Sequence, residues 1–329
     1  MTALVTGGGG FLGGAVVRKL LARGEAVRSF TRSNYPWLTD LGVQQVNGDL
    51  TNADDVRRAV SGCGVVYHVA AKAGVWGRPA DFFSTNVTGT RNVLDACRAE
   101  NVNRLVYTST PSVVHTGGDI CGANESLPYA TRFDSPYPES KTIAEKEVLA
   151  ANGPALATVA LRPHLVWGPG DPHLIPRILT RARVGKLRRI GIRPLTVDVT
   201  YIDNAADAHL CAADKLAPGA PPAGKAYFIS NGEPVNLWEF INKVLALAGV
   251  APVNKAVRVW VAKMAGRWME RFHRWFGLSG EPAMTRFMAS QLSTSHWYDI
   301  SAARRDLGYC PKVSIDDGLC RLAESFRRG

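Results

Sequence analysis

The sequence predicts an α/β fold, a doubly wound parallel sheet with a smaller C-terminal lobe. Three observations predict it. Short apolar runs alternate with longer helical patterns through the first half of the chain, as in βαβ units. A glycine cluster stands between the first apolar run and the first helical pattern. The rhythm breaks after Arg162-Pro163, where proline and glycine become dense over residues 163–176.

In chain order, residues 3–6 form a first strand, and residues 11–23 a helix ending at Gly24. Residues 26–31 are the second strand and 44–47 the third, followed by a helix over 54–60. Residues 65–69 are the fourth strand, 84–99 a helix and 104–108 the fifth strand. Residues 138–151 are a helix, with Pro138 in its first turn, and 157–161 the sixth strand. Residues 201–214 and 226–230 read as a helix and strand that return to the main sheet. The expected division is 1–168, with 199–230 returning to it, against a lobe of 169–198 and 231–329.

Composition narrows the function classes. The 329 residues are 46% hydrophobic, enough for a sizeable core, and no apolar run approaches a membrane span. The N-terminus shows no basic leader, so no signal peptide is expected. The six cysteines form no CxxC pair and no histidines stand at zinc-ligand spacing, so unpaired thiols, no metal and a cytoplasmic location are expected. The net charge of +11 accompanies no nucleic-acid-binding module, and no nucleic acid is expected as a partner.

Thr6-Gly7-Gly8-Gly9-Gly10-Phe11-Leu12-Gly13-Gly14 places Gly7, Gly10 and Gly13 at GxxGxxG spacing. Gly7 takes the tight turn, Gly10 admits a pyrophosphate, and Gly13 lets helix and strand pack closely. The N–H groups of the following helix, at Phe11 and Leu12, face the phosphates. A glycine loop alone is a weak signal; its place between first strand and first helix makes this a Rossmann dinucleotide site. The second strand ends Phe30-Thr31-Arg32-Ser33-Asn34 with no acid for a ribose hydroxyl. Arg32 and Ser33 suit a 2′-phosphate, so NADP(H) is the expected cofactor. Asp49 and Leu50 after the third strand, and Ala70 and Ala71 after the fourth, are placed beside adenine and along the cofactor.

Tyr137 and Lys141 have YxxxK spacing, which on a helix puts both on one face. A free tyrosine titrates near pH 10; a neighbouring ammonium lowers that value and makes the phenol useful in proton transfer. Hydroxyls in Thr108-Ser109-Thr110-Pro111-Ser112 end the fifth strand, where ligands of such sheets bind.

These motifs, with Asn86-Val87-Thr88-Gly89-Thr90 and Arg162-Pro163 before Trp167-Gly168-Pro169-Gly170, resemble the extended short-chain dehydrogenases/reductases, 3β-hydroxysteroid dehydrogenase branch. More narrowly, residues 72–77, 110–114 and 162–173 are similar to the bacterial 2-alkyl-3-oxoalkanoate reductases of long-chain olefin (hydrocarbon) biosynthesis. The resemblance implies an oxidoreductase in which Tyr137 is the acid/base, Lys141 its partner, Thr110 the hydroxyl that orients the substrate oxygen, and Asn86 a support. It places Pro163 at the cofactor and Tyr201-Ile202-Asp203 beside the substrate lobe. It further implies a long-chain 2-alkyl-3-oxo or 3-hydroxy acid as substrate, assembly with condensing and β-lactone-forming enzymes, and a homodimer. A sterol dehydrogenase with the same chemistry is the nearest rival, and a non-enzymatic NADP(H) sensor the rival of another class.

Residues 253–278 hold Trp260, Met264, Trp268, Met269, Phe272, Trp275 and Phe276, interleaved with Lys255, Arg258, Lys263, Arg267, Arg271 and Arg274. Two readings stand: a core-facing helix of the small lobe, or a surface that meets lipid or a partner.

Overall fold

The computed structural model describes residues 1–278 and 280–328. Seven parallel strands form the central sheet: β1 (Thr2–Thr6), β2 (Ala26–Thr31), β3 (Gln44–Asn47), β4 (Cys63–His68), β5 (Arg104–Thr108), β6 (Ala157–Pro163) and β7 (Lys225–Ile229). Their order across the sheet is β7-β6-β5-β4-β1-β2-β3. The order reverses beside β1, and ligands of such sheets bind in the crevice at that switch point.

Parallel strands covered on both faces read as apolar runs, as β1 and β6 do, whereas β3 at the sheet edge is Gln-Gln-Val-Asn and partly exposed. Alternation still sorts them. Ala3, Val5, Val65, Tyr67, Val106, Val159 and Leu161 join one core with helices α1 (Phe11–Ala22) and α6 (Ile202–Lys215). Leu4, Val66, Leu105, Tyr107 and Ala160 join the other. That second core is closed by α2 (Ala53–Val60), α3 (Gly89–Ala99) and α4 (Pro136–Ala150).

Three strands, β2, β3 and β5, have the bounds read from sequence; the others differ by one or two residues. Two helix starts differ more. The expected helix over 84–99 opens as a π turn, Ser84–Thr88, before α3. Helix α4 begins at Pro136 after Ser135, so Pro138 is its third residue, not its first. Proline suits an N-terminal turn at either position because no N–H there has an intrahelical partner. The Tyr137–Lys141 step is unaffected.

Beyond β6 lie α5 (Leu174–Arg183), α7 (Leu237–Leu247) and α8 (Val259–Trp275). A second, four-stranded sheet runs Val235–Asn236, Thr196–Val197, His296–Tyr298, Ile120–Ala123. It draws a loop that follows β5 together with segments from beyond residue 195. Among the described residues no cysteine is bridged, no side-chain group is arranged to hold a metal ion, and no helix is long and apolar enough to cross a membrane.

Candidate active site

The glycine turn is built as its spacing predicts. Gly7 has φ 71°, in the left-handed region that favours glycine, and its carbonyl accepts from Gly10 N at 2.9 Å. A Cβ on Gly13 would overlap the Gly7 carbonyl oxygen, so helix α1 seats only on glycine there. Gly10 is the N-cap and offers no side-chain cap, and the first turn holds no acid. The start of α1 therefore keeps free N–H groups at Phe11 and Leu12, with their partial positive charge, for a diphosphate. Ala70 N donates to Thr6 Oγ1 at 3.0 Å, holding the end of β4 against the glycine turn. Ala71 follows it, half-buried.

At the end of β2, Arg32 and Ser33 are exposed. Asp49 follows β3, also exposed, and accepts from Thr51 N and Oγ1 at 2.8 Å. Those bonds, then the field of Arg32, hold its carboxyl below the usual range. Leu50 is buried and lies close against Gly89. These groups fit a dinucleotide: an uncapped helix start, a cradle that a Cβ would fill, and a free cation beyond β2.

Across the crevice, α4 carries Tyr137 and Lys141 toward the ends of β5 and β6. Lys141 is 2% exposed. Its Nζ donates to the Thr108 carbonyl at 2.6 Å and lies 4.1 Å from the centre of the Tyr107 ring. Burial lowers its pKa to about 7, while Glu145 one turn further raises it. Burial raises the Tyr137 phenol to about 12, and a hydrogen bond with Thr110 works in the other direction. The sequence reading expected Lys141 to depress the phenol. Burial dominates instead, and the ammonium is engaged with Thr108. At neutral pH Tyr137 holds its proton.

Thr110 opens a short turn and shares a 2.8 Å hydrogen bond with Ser112 Oγ. Asn86 is buried. It donates to Ser140 Oγ at 3.0 Å and accepts from Lys72 N at 2.7 Å, stapling the loop after β4 to α4. His68, at the end of β4, bonds Thr6 at 2.9 Å and Thr90 at 3.0 Å, and burial drops its pKa to about 3.

Beneath α4 runs a buried ion pair that the sequence reading missed. Arg162, on β6, meets Glu145 at 2.5 Å, and Tyr129 donates to the same carboxylate at 2.8 Å. The residues are far apart in sequence, and no local pattern marks them.

Tyr137, Thr110, Ser112 and Pro163 line one cavity of about 280 Å³. Its walls are mostly apolar, including Leu165, Leu174, Ile178, Leu187 and Ile241. Leu165 is a non-glycine residue at φ 42°, a strained backbone of the kind that collects at functional sites. His115, His164 and His296 also face the cavity, with ring centres 5.9 and 4.7 Å apart about His296. Burial pushes all three pKa values down. Arg177 and Arg181 on α5 complete the wall; Arg177 pairs with Glu281 at 2.7 Å. Tyr201 is not part of this wall. It is buried against Trp167, 5.4 Å between ring centres, and Asp203 pairs with Arg321.

Residues 4–258 match the 3-beta hydroxysteroid dehydrogenase/isomerase family. The chain belongs to this family. As a member of this 3-beta hydroxysteroid dehydrogenase/isomerase family it is an oxidoreductase of the extended short-chain type, acting on a carbon–oxygen centre with a nicotinamide cofactor. It is 53% identical to a 2-alkyl-3-oxoalkanoate reductase of Stenotrophomonas maltophilia, over 99% of both chains. It is 51% identical to a protein of the same name from Shewanella oneidensis, over 98% of this chain and 86% of the other. Among solved structures it resembles the crystal structure of gox2253, with a TM-score of 0.80, 26% identity and 99% and 98% of the two chains covered. It also resembles the Thermus thermophilus UDP-glucose 4-epimerase in complex with NAD, with a TM-score of 0.74, 28% identity and 99% of both chains covered.

Proposed function

We propose that the protein interconverts a 2-alkyl-3-oxoalkanoate and a 2-alkyl-3-hydroxyalkanoate, using NADP(H). The observation that carries this reading is the shared wall: Tyr137 and Thr110 face one apolar cavity together with Pro163 at the end of β6. Two relatives at 53% and 51% identity bear the reductase name.

Gly7, Gly10, Gly13 and the start of α1 hold the diphosphate, and Ala70, Ala71 and Pro163 flank the nicotinamide side. Arg32 and Ser33 take a 2′-phosphate, which an acid at that place would repel. The bound cofactor supplies the hydride. Tyr137, protonated at neutrality, gives its proton to the ketone oxygen as the hydride reaches the carbon. Thr110 donates to the same oxygen and fixes its position. Lys141, one turn along, stabilises the tyrosinate that remains. Asn86 keeps α4 in register with the loop that passes the site. Residues 169–198 and 231–329 supply the apolar wall for the alkyl chains. Arg181, half-buried and without an ion pair among the described residues, is the cation we assign to the substrate carboxylate.

The test is turnover of a long-chain 2-alkyl-3-hydroxy acid against a 3β-hydroxysterol, each with NADP+ and with NAD+, followed by cofactor absorbance. The acid with NADP+ is expected to be the preferred pair. Tyr137→Phe is expected to lower its turnover by about 10²–10⁴-fold. Preference for the sterol, or an unchanged rate in the Tyr137→Phe protein, overturns the reading.

A further inference from the structure

Helix α8 does not face the core. Of its 17 residues only Ala262, Gly266 and Glu270 are buried. A Cβ on Gly266 would come within 2.8 Å of the Thr285 backbone, so the inner side of the helix lies flush on the chain before Arg286–Gln291. The opposite side is apolar and open to solvent. Trp260, Met264, Trp268 and Phe272 recur at four-residue steps, and Trp275 continues the stripe. The three tryptophans are 58%, 61% and 83% exposed. Such large indoles, left bare on one helix, mark an interaction surface.

A second stripe runs beside the first. Lys263, Arg267, Arg271 and Arg274 recur at four- and three-residue steps, and all are exposed. The only acid of the helix, Glu270, is buried between Arg286 at 2.9 Å and Arg274 at 3.6 Å, which leaves Lys263, Arg267 and Arg271 as the open cations of this stripe. The surface therefore presents aromatic side chains along one line and cations along its edge.

The helix reaches the cavity only through its neighbours. Arg286–Gln291 packs on α8, and Phe287, Met288 and Gln291 of that segment line the cavity wall. Val75 lines it too, and the next residue, Trp76, lies against His273 and Arg274 of α8.

We propose that α8 docks the protein on an anionic lipid surface, with the tryptophans and Phe272 in the headgroup boundary and Lys263, Arg267 and Arg271 against lipid phosphates. Charge selects this occupant. A second copy of the chain would add the same cations to one contact, and the helix offers no exposed acid to meet them. Tryptophan suits the boundary because its ring is apolar and its N–H stays wet. Docking in this pose leaves one segment, Arg286–Gln291, between the lipid-facing helix and the cavity that would take an oily substrate. The docking itself does not depend on the substrate proposed above.

The experiment is flotation of the full-length protein with vesicles of phosphatidylglycerol and phosphatidylcholine, and with phosphatidylcholine alone, at low and high salt. Binding is expected to the anionic vesicles at low salt, with a blue shift of tryptophan fluorescence. Salt is expected to weaken it. Lys263→Gln with Arg267→Gln is expected to weaken it about five-fold for each base removed. Trp268→Ser with Trp275→Ser is expected to weaken binding at least about ten-fold while melting temperature is unchanged. Absence from the anionic lipid fraction at low salt overturns the proposal. So does binding that survives the tryptophan substitutions, or a concentration-dependent dimer that those substitutions dissolve. Loss of turnover with flotation intact would instead count against the proposed reaction alone.

Discussion

At Gly13 one added methyl group would meet the Gly7 carbonyl and lift α1 from the turn that it completes. Gly13→Ala is expected to destabilise the fold by about 1–3 kcal/mol and to abolish nicotinamide-cofactor binding, read by denaturant unfolding and by cofactor fluorescence. Arg32 acts by charge instead. Its exposed guanidinium stands past β2 with Asp49 in its field, so Arg32→Ala is expected to raise KM for NADPH about ten-fold or more and leave KM for NADH within about two-fold. Equal changes for both cofactors would refute a 2′-phosphate contact. Lys141 gives a pH signature. Burial brings its pKa to about 7, and the charged form is the one that stabilises a tyrosinate. The kcat/KM of reduction is expected to fall as pH rises through that value. Lys141→Met should remove this limb along with about 10²-fold of rate; a limb that persists in the variant belongs to another group.

At the scale of elements, α4 sets the site through three residues at four-residue steps: Tyr137, Lys141 and Glu145. Glu145 is fully buried against Arg162, itself 3% exposed. Glu145→Gln leaves that guanidinium without its counter-charge and is expected to destabilise the protein by about 3–5 kcal/mol, measured in urea. It also removes the charge that raises the Lys141 pKa, so the pH limb should move downward. A variant as stable as the parent, with an unmoved limb, would show the pair to be incidental. The inner strands were legible because parallel β residues buried on both sides read as short apolar runs, as in β5, while β3, an edge strand of Gln-Gln-Val-Asn, was legible from its place in the βαβ rhythm. The Tyr137–Lys141 face was legible because a four-residue step needs only a helix. The Glu145–Arg162 pair was not, since the two lie 17 residues apart on different elements. Nor was the histidine group, drawn from three distant segments. The aromatic stripe of α8 was legible as a stripe, but periodicity is the same for a buried face and an open one, so only packing shows that it points outward.

Over the whole molecule, five of the seven histidines resist protonation. Burial lowers His68 to about 3, His115 and His209 to about 4, and His164 and His296 below their ordinary value. Below about pH 6.5 the unfolded chain takes up protons that the native protein refuses, so stability falls as pH falls from there. Asp198 opposes this. Burial raises its carboxyl to about 6, and the native protein gains as pH drops through that value. Glu125, also raised by burial, acts in the same sense, and the two carboxylates are outweighed by five imidazoles. The thermal midpoint is expected to drop by roughly 5 °C or more between pH 7 and 4.5; a flat profile would mean that the imidazoles open to water together.

The seventh strand has a consequence for synthesis. Strand β7 caps the edge of β6, yet it comes from residues 225–229, and α6, which covers α1 through Lys19–Asp207, comes just before it. A nascent chain that has released only the glycine turn, Tyr137 and β6 still lacks one side of its sheet and the helix that shields α1. Translation pausing before Ile229 emerges from the ribosome would leave a bare, apolar β6 edge, the condition in which chaperone capture or aggregation competes with folding.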